Sequence, residues 1–209
     1  KKELVRLKKE VDTAHALGVK LMRHDVAYRG IEDSTLENLE KDLPSLAEAC
    51  REIADYAKKY GITTSVENHG RHIQGSERVR RLLRSVGRDN FKTTVDVGNF
   101  LCVDEDPVCA LKHNIKYASM VHLKDFYYRR ERANPGEGWF LTSGGNYLRG
   151  AIFGHGDIDV YAVLKVICDS GYNGYLSLEF EGMEECKTAS RLGMNNVCRI
   201  LKELNCDRV

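Results

Sequence analysis

Ile62-Thr63-Thr64-Ser65-Val66-Glu67-Asn68-His69-Gly70 decides the fold. Four of its first five residues, Ile62, Thr63, Thr64 and Val66, are β-branched and the run reads as a strand, which stops at a carboxylate, an amide and an imidazole ahead of a glycine. The same design recurs outward in both directions. Val19–Arg23 runs into His24-Asp25, Phe91–Val95 into Asp96, Tyr117–Val121 into His122, and Tyr175–Leu178 into Glu179. Helical periods lie between these runs. Leu4, Leu7, Val11, Ala14 and Leu17 share one face of a helix over 2–17, stopped by Gly18. Ser34-Thr35-Leu36-Glu37 reads as a capping box opening a long helix closed by Gly61, in which Pro44 marks a kink or a second start. Ser76 caps a helix ended by Gly87, Asp106-Pro107 opens a short one, and two more run over 158–170 and 185–204. Strand and helix in alternation mean βαβ units and a parallel sheet. No linker divides the chain, so a single domain over 1–209 is expected. A closed (β/α)8 barrel needs eight strands. Only five are visible, and the chain opens inside a helix, so the reading is a barrel whose N-terminal βα units are absent from this chain. The segment 125–150 is polar, rich in Tyr, Arg and Gly, and has no clear period.

Composition narrows the function. The 209 residues carry a formal net charge of +1, so no basic field advertises nucleic acid and no membrane anchor is expected. The longest cationic stretch, Arg129-Arg130-Glu131-Arg132, is interrupted by a glutamate. No apolar run approaches the roughly 18–20 residues of a membrane helix, and a cytoplasmic location is the expectation. The seven cysteines, Cys50, Cys102, Cys109, Cys168, Cys186, Cys198 and Cys206, are odd in number and lack CxxC pairing. They read as buried or bystander thiols in a reducing compartment and not as a disulfide frame.

Four strand ends carry metal-competent side chains: Glu67, Asp96, His122 and Glu179. The first three are 29 and 26 residues apart, about one βα repeat each. Parallel strands converge at their C-terminal ends, where such barrels place their sites. A lone strand-end carboxylate is usually a helix cap or an ion-pair partner. Four in register are hard to produce by accident. Carboxylates with one imidazole suit Mn²⁺, Mg²⁺, Co²⁺ or Zn²⁺.

Val66-Glu67-Asn68-His69-Gly70, Thr94-Val95-Asp96-Val97-Gly98-Asn99, Val121-His122-Leu123-Lys124-Asp125, Gly154-His155-Gly156-Asp157-Ile158-Asp159 and Gly174–Gly182 resemble the sugar phosphate isomerase/epimerase family of xylose isomerase-like TIM barrels. The resemblance spans about 15–205. It implies a divalent-metal isomerase or epimerase of ketoses or polyols, with manganese first among the metals. It implies Glu67, Asp96, His122 and Glu179 as ligands, Glu67 and Glu179 as the two bases that exchange a proton beside a carbonyl, and a homo-oligomer. It makes Val19–Arg23 the fourth barrel strand.

The remaining candidates carry two readings each. His69, two residues beyond Glu67, is a base, acid or substrate contact, or it caps the strand end. Arg23 binds substrate or pairs with a carboxylate. Asn99 bonds to substrate or to a ligand. Lys124 binds a hydroxyl or phosphate, or forms a wall ion pair. His155 contacts substrate or fills a turn. Glu181 reads as support for the ligands. Tyr127, Tyr128, Trp139, Phe140 and Tyr147 suit a lid over a sugar, a self-packed excursion or a subunit contact. Relatives of this barrel also include polyol dehydratases and C-glycoside deglycosidases. An endonuclease IV-like nuclease is disfavoured, because Asn99 stands where its extra histidine belongs. A non-catalytic binding subunit is disfavoured because all four ligands are present.

Overall fold

The structure is a computed structural model, and it describes residues 2–130 and 134–206. Glu131 and Arg132 of the cationic stretch lie outside the described residues. The chain divides into two compact units, residues 1–94 and 95–209.

In the first unit, α1 (Lys2–Ala16) buries Leu7, Val11 and Ala14, spaced for one helix face, against Ile53 and Ala57 of α2 (Leu36–Lys58). The N-cap of α2 is Thr35, whose hydroxyl accepts from Asn38 N at 3.2 Å. This corrects the capping box by one residue. The hydroxyl of Ser34 instead donates to Arg71 O. Pro44 lies inside one uninterrupted helix and marks no second start. α3 (Ser76–Val86) has Gly75 as its N-cap in place of the expected Ser76, and Gly87 closes it in the left-handed conformation. Strands β1 (Leu21–His24), β2 (Thr63–Glu67) and β3 (Phe91–Asp96) pair in parallel register, His24 with Val66 and Glu67 with Thr94.

The second unit takes up the end of β3 and continues through α4 (Pro107–Asn114), capped by Asp106 as expected, to β4 (Ala118–Leu123). α5 (Val160–Asp169) and α6 (Cys186–Glu203) follow. Within this unit β4 pairs in parallel with β8 (Tyr175–Leu178), Met120 with Tyr175 and Leu123 with Leu178. All five strands expected from sequence are present.

Two expectations need correction. The segment without a period holds three short strands, β5 (Asp125–Arg129), β6 (Phe140–Leu141) and β7 (Tyr147–Ala151), in an antiparallel sheet of order β5-β7-β6. One face of it, Phe126 and Leu148, packs on Cys102. Secondly, Cys168 and Cys206 form a disulfide with Cα atoms 6.1 Å apart. α5 and α6 share one apolar core through Leu164, Ile167, Ile200 and Leu201, and that packing brings the end of α5 to the segment after α6. The other five cysteines form no disulfide among the described residues, and Cys50 and Cys102 are buried.

Candidate metal centre

The backbone sets the site before any side chain does. Val97 N donates to His122 O at 3.1 Å, and Glu179 N donates to Leu123 O at 3.0 Å. These bonds bring the ends of β3, β4 and β8 level. Asp96, His122 and Glu179 each offer one ligand atom, and those atoms lie within 4.8 Å of one another. Asp96 is fully buried.

Lys124 lies one residue beyond β4 and organises the acids of this cluster. Its ammonium lies 2.8 Å from Glu179 Oε2, 3.2 Å from Asp96 Oδ2 and 3.2 Å from Glu181 Oε1. Burial opposes its charge, but the three carboxylates outweigh burial and raise its pKa above the usual lysine range. Gly98 is required here, because a Cβ at that position would lie 2.9 Å from Lys124 Cβ. Asn99 Oδ1 accepts from the ammonium at 3.4 Å, and Asn99 N donates to Asp96 Oδ1 at 2.9 Å. One oxygen of Asp96 therefore caps the turn at Asn99–Val103 while the other faces Lys124. Glu179 titrates well below the usual carboxylate range. The His122 ring, 3.6 Å away, is the largest influence and overcomes burial, with Asp96 and Lys124 adding to it.

Three carboxylates around one ammonium leave two negative charges in excess. That surplus, with an imidazole beside it, fits a divalent cation of the oxygen- and nitrogen-preferring kind. Asp96, His122 and Glu179 are the groups in this unit that could hold it.

In the first unit, Glu67 ends β2 and is buried. Glu67 pairs with Thr94 of β3. Arg23 is not a free cation: it pairs with Asp25 at 2.9 Å and with Glu67. His69 lies past the strand end, exposed, in a bridge with Ile73. It lines with Glu67, His24 and Asp25 a cavity of about 770 Å³ whose walls are mostly α1 and α2 residues. His155 sits exposed in a turn held by Asp125, which accepts from Gly154 N and Gly156 N at 2.9 Å each. Burial raises the Asp125 pKa despite those donors.

Sequence reasoning missed how far Lys124 gathers the acids, although its place two residues after His122 was the available signal. It also missed the pinning role of Asp125, for which spacing gave no signal.

The chain belongs to the xylose isomerase-like TIM barrel family, whose model matches residues 1–204. An inosose dehydratase of Clostridium perfringens is 29% identical over 145 residues, which is 68% of this chain and 48% of that protein. The chain thus spans about half the length of the curated relatives it matches. Among solved structures, a xylose isomerase domain protein from Planctomyces limnophilus superposes with a TM-score of 0.74 at 19% identity, covering 98% of this chain and 67% of that one. The IolI protein with a bound zinc atom superposes with a TM-score of 0.63 at 22% identity, covering 98% and 68%. These likenesses carry the fold. Among the described residues, no helix is long and apolar enough to cross a membrane.

Proposed function

We propose that this protein is a divalent-metal-dependent dehydratase of a keto-polyol, with Glu67, Asp96, His122 and Glu179 as the metal ligands. The observation that carries the reading is the meeting of Asp96, His122 and Glu179 at three strand ends around a surplus of negative charge. Glu67 is proposed as the fourth ligand because it ends β2 with a buried carboxylate. The dehydratase relative supports elimination over the isomerase or epimerase chemistry expected from the sequence. Both chemistries begin with the same proton abstraction, and the zinc in one structural neighbour supports a metal without fixing which.

A bound cation would polarise the substrate carbonyl and make the proton on the adjacent carbon acidic. Glu179, held ionised, takes that proton. The C–H pair becomes the new C=C bond, and the C–O bond to the next carbon breaks. The departing hydroxide takes a proton from His69, so one water is lost in total. Lys124 and Asn99 orient the ligand carboxylates, and Glu67 stands as the second base if the proton is returned in place of elimination. Arg23 and His155 are the proposed contacts to substrate hydroxyls.

The test uses purified protein with Mn²⁺, offered an inosose and a panel of ketoses, with products read by mass spectrometry. A product lighter by one water is expected from the inosose. Glu179→Gln is expected to slow it by at least about a hundredfold and to weaken metal binding. Epimers formed without loss of water would overturn the dehydratase reading and favour an isomerase.

A further inference from the structure

We propose that Arg149, held between the rings of Tyr127 and Trp139, anchors a binding site for the carboxylate or phosphate group of a small molecule. The site does not rest on the metal reading, since none of its residues is a proposed ligand. Arg149 pairs in register with Tyr127 across β5 and β7, so the two side chains share a face. That face is opposite the one that Phe126 and Leu148 pack into the core. The guanidinium carbon lies 4.8 Å from the Tyr127 ring centre and 5.5 Å from that of Trp139. Arg129 stacks on Trp139 as well, at 5.6 Å. The result is a ladder of ring and guanidinium in alternation.

The two cations of this ladder differ in one respect. Arg129 donates to Asp157 Oδ2 at 2.9 Å and to Tyr128 O at 2.6 Å. Arg149 forms no ion pair among the described residues, and its Nε is buried without a hydrogen-bond partner there. Rings on both faces leave only the in-plane N–H groups to bind, and they thin the water that would screen the charge. The Nε–Nη edge of a guanidinium matches an acceptor with two oxygens side by side, as carboxylate and phosphate present them. A neutral hydroxyl takes one N–H at a time and leaves the charge uncompensated.

Trp139 is the only tryptophan of the chain, so its fluorescence reports on this site alone. The whole chain, without added divalent metal, is titrated with malonate, with inorganic phosphate and with myo-inositol at constant ionic strength set by chloride. A saturable change is expected with malonate or phosphate and none with myo-inositol; whichever anion saturates at lower concentration identifies the group recognised. Arg149→Gln should raise the midpoint about tenfold or more, the loss of a hydrogen bond to a charged group. Arg149→Lys keeps the charge without the fork and should fall between, and it decides the matter if the glutamine variant melts early. Equal midpoints in wild type and Arg149→Lys, an equal response to chloride, or saturation by myo-inositol would overturn the proposal. Mn²⁺ binding measured on the same variants should stay unchanged, so failure here leaves the metal reading standing.

Discussion

Each unit places a cation beside a strand-end carboxylate, and the two are held very differently. Arg23 in β1 is 41% exposed and bridges Asp25 and Glu67 with its guanidinium in water. Lys124 is 4% exposed and meets three carboxylates. A hydrated ion pair is screened and contributes little, whereas a buried charge must be matched or its desolvation goes uncompensated. The contrast teaches that the two acidic neighbourhoods are built for different duties. Only the guanidinium half of the Arg23 pair with Glu67 is in water, since the Glu67 side chain is itself 4% exposed. The acids around Lys124 are fixed in place by a charge that cannot leave.

Removing the buried cation is the strongest way to break that contrast. Lys124→Met keeps most of the side-chain volume and leaves Asp96, Glu179 and Glu181 facing one another without the ammonium. Breaking a buried pair costs about 3–5 kcal/mol, so the urea midpoint should drop steeply. Added Mn²⁺ should recover part of the loss in the variant, because a divalent cation can neutralise the same carboxylates. A midpoint within about 1 kcal/mol of wild type would show that the ammonium is not what holds the acids together.

The parallel strands and the residues ending them were legible because each is a short apolar or β-branched run closed by a polar group. Within the second unit, the strand ends then bring Asp96, His122 and Glu179 level. Lys124 was legible as a candidate but not as the hub, since its partners Glu179 and Glu181 lie past the end of β8, far along the chain. The β5-β7-β6 sheet was not legible. Its strands run two to five residues and mix Arg, Tyr and Gly, so neither face shows a clean alternation. Gly150 illustrates the difficulty: it is needed because a Cβ there would collide with the backbone carbonyl of Glu181, a contact invisible to local pattern. The Cys168–Cys206 pair was hidden for the same reason, as 38 residues separate the two thiols. The capping errors at Thr35 and Gly75 are displacements by one residue, the ordinary ambiguity where adjacent residues can both cap.

The pH response sharpens the comparison with a smaller effect. Lys124 has its pKa raised in the folded state, so its contribution is complete below the unfolded value of about 10.4 and is lost as pH climbs beyond it. Glu179 has its pKa lowered, so its contribution is complete above about 4.3 and is lost as pH falls below that. Stability followed by urea unfolding should show an alkaline limb and an acid limb around a plateau. Lys124→Met should remove the alkaline limb and Glu179→Gln should flatten the acid one. An alkaline limb unchanged in Lys124→Met would assign it to another group.

The exposed cation gives the smallest effect and the most direct reading of its duty. Arg23→Met should lower stability by roughly 1–3 kcal/mol, less than Lys124→Met, because water takes over for the exposed Asp25 while the buried Glu67 carboxylate loses one partner. Metal affinity should move the other way. Arg23 competes for a carboxylate that the proposed centre needs, so its removal should tighten Mn²⁺ binding or leave it unchanged, as read by calorimetry. Weaker binding would mean that the guanidinium orients Glu67 toward the ion, and the two cations would then share one duty despite their different burial.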